Sequence, residues 1–195
     1  MNKLFLCSLL LALGSQCHAD VILFISPSSQ TVPLGGTVSF DVNVSGLGGG
    51  TALGTFDIDL LFDSALLSFD LATFGNQLDL FGLGSIQSAT PAAGSVNFFE
   101  LSLDSITDLN TLQATQFRLA TLTFTTLALG NSSPITLSVN ALGDASGGSI
   151  PATLQGASLT VEPVSAVPEP GTWAMVGLGG LGLIWISRAK LASRT

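Results

Sequence analysis

Between Val21 and Glu162 the chain alternates apolar and polar residues in short runs that recur at roughly ten-residue spacing. From Thr37 onward, Val38, Phe40, Val42 and Val44 fall on one side of an extended chain, and Ser39, Asp41, Asn43 and Ser45 on the other. The same pattern returns with Phe56, Ile58, Leu60 and Phe62 inward and Thr55, Asp57 and Asp59 outward. It returns again with Ile135, Leu137 and Val139, and closes with Ala157, Leu159 and Val161. A period of two predicts half-buried strands, and the Gly, Ser, Asn and Pro between them predict turns.

Less regular stretches fill the gaps. Val21 to Ser26 is an apolar run ended by Pro27, and Gly46 to Gly50 reads as a hairpin connection. Thr73 to Pro91 is Gly-rich and predicts loops. Ser95 to Leu103 is apolar on parts of both faces, which predicts a strand that is either central or bent by a bulge. Leu103, Ile106, Leu109 and Leu112 recur every three residues, fitting either a short helical turn or a loop over the end of a sandwich. Phe117 to Leu127 is rich in Thr, Leu and Phe and reads as a strand. No convincing amphipathic helix interrupts the series, so the fold class is all-β, a jelly-roll or immunoglobulin-like β-sandwich.

The two ends differ from this body. Lys3, an apolar stretch from Leu4 to Leu13 and the small-residue site Cys17-His18-Ala19 form a signal peptide over 1–19, cleaved between Ala19 and Asp20. Acylation of Cys17 is the alternative, although Gln16 stands where that signal takes a small residue. The sandwich then occupies 20–163 and a tail occupies 164–195. In the tail, Pro168-Glu169-Pro170 cannot continue a strand or helix. An uncharged run over about 172–187 follows, which as a helix spans about 24 Å against a hydrocarbon core of about 30 Å. Arg188, Lys190 and Arg194 close the chain and keep its end cytoplasmic.

Composition narrows the function. Of 13 acidic residues all but Glu169 lie between Asp20 and Glu162, and of 5 cations only Arg118 does, a formal charge of −11 for the body. Nucleic acid is excluded as a partner, since neutralising phosphates takes Lys and Arg. Loss of the leader removes Cys7, Cys17 and His18, and the chain has no tyrosine. Thiolate and imidazole nucleophiles, Schiff-base lysines and thiolate or imidazole metal sites are therefore unavailable to the body, and no cofactor is implied. No disulfide staples it.

The layout of the tail resembles the PEP-CTERM sorting signal of Gram-negative bacteria. That resemblance implies export through the inner membrane and recognition by an exosortase, with Pro168, Glu169 and Pro170 as the sorting motif. It also implies membrane anchoring by the C-terminal helix before processing, then a place at the cell surface or outside the cell. The body also carries a resemblance, in Leu34-Gly35-Gly36-Thr37-Val38-Ser39-Phe40, in Phe56-Asp57-Ile58-Asp59-Leu60-Leu61-Phe62-Asp63, in Leu119-Ala120-Thr121-Leu122-Thr123-Phe124 and in Gly156-Ala157-Ser158-Leu159-Thr160-Val161. These stretches resemble a cohesin domain, a jelly-roll sandwich that binds dockerin modules through a sheet face and shares a superfamily with carbohydrate-binding domains. A dockerin-like protein or a polysaccharide is the implied partner.

Asp57 and Asp59 share one face of a strand and Asp63 ends it, so the three carboxylates are candidates for a calcium site or a glycosidase pair. A solvated outer face is the simpler account. Catalysis would take a cleft that raises one pKa, and sugar clefts commonly add Trp or Tyr, which the body lacks. Arg118 is expected to pair with a neighbouring Asp, and Phe40, Phe56, Phe62 and Phe124 are expected in the core. The expectation is a non-enzymatic exported module for protein contact in biofilm or exopolysaccharide assembly, with carbohydrate binding as the alternative.

Overall fold

Alternating sequences become strands only when their apolar sides meet a second layer, and here they meet across a sandwich. The structure is a computed structural model in which residues 20–164 are described. In chain order the strands are β1 (Val21–Ser26), β2 (Ser29–Pro33), β3 (Thr37–Ser45), β4 (Leu53–Leu61), β5 (Leu67–Phe74), β6 (Ile86–Ala92) and β7 (Ser95–Leu101). After helix α1 (Ile106–Leu112) come β8 (Phe117–Thr126), β9 (Gly130–Asp144), β10 (Ala152–Gln155) and β11 (Ala157–Glu162). One sheet has the order β10-β1-β3-β8-β5 and the other β2-β11-β9-β4-β7-β6. The architecture is an all-β sandwich of two sheets.

The inward residues of both sheets form one core. Phe40, Phe56, Phe98 and Phe124 are fully buried, together with Leu23, Ile58, Leu60 and Leu122. Phe124 lies edge-on to three rings, with centroid separations of 6.3 Å to Phe40, 5.0 Å to Phe62 and 5.7 Å to Phe69. Phe62 is partly buried against the same cluster. Among the described residues the buried apolar side chains all lie between Val21 and Val161, most of them on the strands, with Leu47, Leu78 and Ile150 added from the connections.

Three local expectations change. Gly46 to Gly50 does not close a hairpin: β3 and β4 lie in different sheets, and the glycines carry the chain across the end of the sandwich. The stretch from Thr73 to Pro91 holds the end of β5 and all but the last residue of β6, whose residues are exposed throughout because it is an edge strand extending past the core. With no buried side, β6 has no alternation to read. Ser95 to Leu101 pairs without a register shift on either side, so β7 is neither bulged nor central but second from the edge.

The three-residue repeat is the helix α1, capped by Ser105, whose hydroxyl accepts from the Asp108 amide at 3.1 Å and donates to the Asp108 carboxylate at 2.7 Å. Within α1 only Leu109 is buried. Polar clamps tie its end to β4: Gln113 accepts from the Leu53 amide at 2.7 Å and donates back to the Leu53 carbonyl at 2.9 Å.

Candidate functional site

The outer face of the six-stranded sheet is set by register. Across β6, β7, β4 and β9 one row runs Ser88, Phe99, Asp57, Ala141, and the next runs Thr90, Asn97, Asp59, Ser138. Direct cross-strand partners share a face, so these side chains stand together opposite the core. Asp57 faces Ala141 and Ile58 faces Val139, which leaves Asn140 as the extra residue of a bulge. The bulge sets the exposed Asn140 side chain beside the two carboxylates.

Two amides link the carboxylates. Asn97 donates to Asp57 at 2.6 Å and to Asp59 at 3.0 Å, and Asn140 donates to the same two groups at 3.2 and 3.0 Å. These charge-assisted bonds offset the repulsion of two like charges two residues apart on one strand. Asp63 stands apart and accepts from the Ala65 amide at 2.8 Å to shape the turn after β4. Among the described residues no three His, Cys, Asp or Glu side chains converge where a metal ion could sit. The three aspartates of the sequence are thus a bridged pair and a separate turn residue.

The same face turns apolar toward one end. Ile86 stands opposite Leu101, and the two are 52% and 37% exposed. Leu103 and Ile106 follow Leu101 along the chain and are exposed as well. No lysine or arginine is on β4, β6, β7 or β9. The face therefore has an acidic, amide-bridged centre and an uncovered apolar end.

Beneath β7, Glu100 points inward and is 1% exposed. Ser85 and Gln87 donate to one of its carboxylate oxygens at 2.7 and 2.8 Å. Burial pushes its carboxyl above the ordinary value of about 4.5; those two hydrogen bonds oppose the rise, and Asp79 adds to it. Sequence reasoning passed over Glu100, Asn97 and Asn140. Glu100 had a signal, an acid between Phe99 and Leu101, whereas the two asparagines needed the register of three strands.

Arg118 lies on the opposite sheet, 3.9 Å from Asp41. A cleft of about 260 Å³ between Gly48 to Thr51 and the end of α1 has no titratable side chain in its lining. Asp20 is exposed just ahead of β1. Ala19, Pro168, Glu169, Pro170, Arg188, Lys190, Arg194 and the apolar run over 172–187 lie outside the described residues.

The sandwich is similar to a non-cellulosomal cohesin from the archaeon Archaeoglobus fulgidus, with 16% identity over 74% of this chain and 92% of that one, at a TM-score of 0.57. The fold is that of a cohesin module. It is similar as well to the CaCohA2 structure from Clostridium acetobutylicum, with 20% identity over 76% of this chain and 94% of that one, at a TM-score of 0.57. A third likeness is to a type I cohesin–dockerin complex from Clostridium thermocellum, with 16% identity, coverage of 74% and 94%, and a TM-score of 0.58. At such identities the likeness is one of fold.

Residues 166–189 match the family described as the PEP-CTERM protein-sorting motif. The motif implies export and exosortase-dependent sorting to the cell surface. No curated protein sequence matches the chain. Neither a cohesin-like sandwich nor a sorting motif is a catalytic module.

Proposed function

We propose that this protein is an exported surface module of a Gram-negative bacterium that grips another protein through the outer face of its six-stranded sheet. Its role is assembly of a biofilm or exopolysaccharide matrix. The observation that carries the reading is the face itself: an acidic centre at Asp57 and Asp59 beside the exposed apolar end at Ile86 and Leu101. Protein interfaces combine an apolar anchor with a polar surround in this way. A dockerin-like partner is supported by the likeness to a cohesin seen in complex with a dockerin. The partner's complementary chemistry is an apolar side chain flanked by Lys or Arg.

Delivery follows from the ends of the chain. Residues 1–19 direct export and are removed between Ala19 and Asp20, the sandwich over 20–163 emerges, and the segment 172–187 holds the protein in the membrane. Arg188, Lys190 and Arg194 stay cytoplasmic until an exosortase acts near Pro168, Glu169 and Pro170.

Two experiments test this. Mass spectrometry of the mature protein should find a C-terminus between Pro168 and Gly171 in a strain with its exosortase and an intact Thr195 in a strain without it. Full-length bait recovered from the native cell surface should hold a partner that Leu101→Lys releases and Ser39→Lys, on the other sheet, retains. An identical set of partners for both variants would remove the face from the proposal.

A further inference from the structure

Four strands form the edges of the two sheets, and three of them are protected. β5 carries Asp70 at a register shift between Phe69 and Leu71, and β10 has only four residues. β2 is tied to the other sheet, where the Gln30 amide donates to the Ser39 carbonyl at 2.7 Å and the Thr126 hydroxyl donates to the Pro33 carbonyl at 3.0 Å. Charge, bulges, shortness and cover are the usual guards of an edge. β6 has none of them: it runs seven residues without a charge, pairs with β7 without a register shift and is exposed on both sides.

Pro91 gives the direction of its backbone groups. A proline within a ladder stands where its nitrogen faces away from the neighbouring strand, and Pro91 lies opposite Val96 of β7. Direction alternates along a strand, so Gln87 and Ala89 also turn their N–H and C=O groups away from β7. Among the described residues no loop or turn backbone group bonds to those four groups. The Gln87 side chain is folded back on its own sheet, donating to the Glu100 carboxylate at 2.8 Å and to the Ser85 hydroxyl at 3.0 Å, and leaves the edge clear.

We propose that β6 pairs antiparallel with β6 of a second copy of this chain, about a two-fold axis at Ser88. Gln87 then stands opposite Ala89 of the second copy, and Ala89 opposite its Gln87, so four hydrogen bonds use both backbone groups of both residues. Moving the axis to Ala89 would set Gln87 opposite Pro91, which has no N–H for the Gln87 carbonyl. An edge that is its own complement about a two-fold axis closes as a dimer and leaves no further copy to add. Ser88 meets Ser88 and Ile86 meets Thr90, so no charge is set against its like. Because β6 extends past the core, a strand laid beside it has solvent on both of its faces.

The charge of the chain sets the character of this contact. Each body carries a formal −11, so two copies repel at long range, and their association strengthens as salt screens the repulsion. A foreign strand bearing Lys or Arg would respond in the opposite sense. Pairing about an axis perpendicular to the sheet joins two six-stranded sheets into one and keeps their outer faces on the same side. The pairing does not depend on what those faces bind.

The test is disulfide trapping in the purified full-length chain, in zwitterionic detergent, with Cys7→Ser and Cys17→Ser so that an introduced cysteine is alone. The two Ser88 positions form a pair without mutual hydrogen bonds, with Cα atoms about 4.5 Å apart, inside the range a disulfide spans. The two Thr90 positions are offset by four residues, about 13 Å. Under mild oxidation Ser88→Cys should give at least about tenfold more cross-linked dimer than Thr90→Cys, which is on the same exposed strand. The yield should rise between about 0.01 M and about 0.15 M salt. Adding Ala89→Pro to Ser88→Cys removes an N–H that only the second copy uses and should cut the yield at least about fivefold, with the fold checked by far-UV circular dichroism. Ala89→Asp, a like charge on both copies, is the second blocking variant should the proline protein fail to fold. No cross-linked dimer, equal yields from Ser88→Cys and Thr90→Cys, a yield that falls as salt is raised, or an unchanged yield in the folded Ala89→Pro or Ala89→Asp protein would overturn the proposal.

Discussion

Removing the ring of Phe124 tests the packing logic of the sandwich most directly. It is fully buried on β8, between β3 and β5, and touches Phe40, Phe62 and Phe69 edge-on at 6.3, 5.0 and 5.7 Å. A buried Phe→Ala change costs about 3–5 kcal/mol, because transfer free energy is lost and a cavity remains. Loss of three edge-on partners, each contributing about 0.5–1.5 kcal/mol beyond area, places Phe124→Ala near the top of that range, at about 4–5 kcal/mol. Domains of this kind have only about 5–15 kcal/mol in total. With a urea slope of about 2 kcal/mol per molar, the unfolding midpoint should fall by about 2 M. Far-UV circular dichroism of the 20–163 fragment reads this, since the core of the described residues lies wholly between Val21 and Val161. Phe124→Leu keeps apolar bulk but loses the edge-on geometry, and should cost about 1–2 kcal/mol. Phe81→Ala, at a ring 53% exposed, should cost less than about 0.5 kcal/mol. A Phe124→Ala cost below about 1.5 kcal/mol, or one equal to that of Phe81→Ala, would refute the hub.

Three further outcomes are expected. Because burial raises the Glu100 carboxyl in the folded protein, its contribution to stability is full below about 4.5 and is lost as pH rises through the raised value. Glu100→Gln should therefore gain on wild type in urea midpoint as pH rises above about 4.5, and a difference independent of pH would contradict the assignment. Asn97→Ala leaves Asp57 and Asp59 with one bridging amide and should destabilise by about 1 kcal/mol, more at low salt than at high salt, as titrated by urea at two ionic strengths. A Cβ at Gly54 would lie 2.7 Å from the Asp144 carbonyl oxygen and 2.8 Å from the Ala145 Cα, so Gly54→Ala should cost about 2 kcal/mol or more by thermal unfolding.

The sequence by itself determined the strands that have a buried side. β3, β4, β8 and β9 were legible because alternation is the imprint of a two-layer core, and the buried positions of Phe40, Phe56 and Phe124 followed. It also determined the sorting motif, which depends on the order of residues near one end and not on folding. Edge strand β6 was illegible because a strand with both sides in solvent has no reason to alternate. Tertiary structure alone decided what each outer face presents. A strand's outward residues are visible in sequence, but which of them become neighbours depends on pairing across strands distant in the chain. Asp57 and Asp59 were visible as a pair, whereas their bridging by Asn97 and Asn140 needed β7, β9 and a bulge. Thr123 was visible on its strand, whereas its place in a field with Ser39 and Ser68 needed β3 and β5. Pairing between strands far apart in sequence is set by how their apolar sides fill a common core, and that is a property of the whole fold.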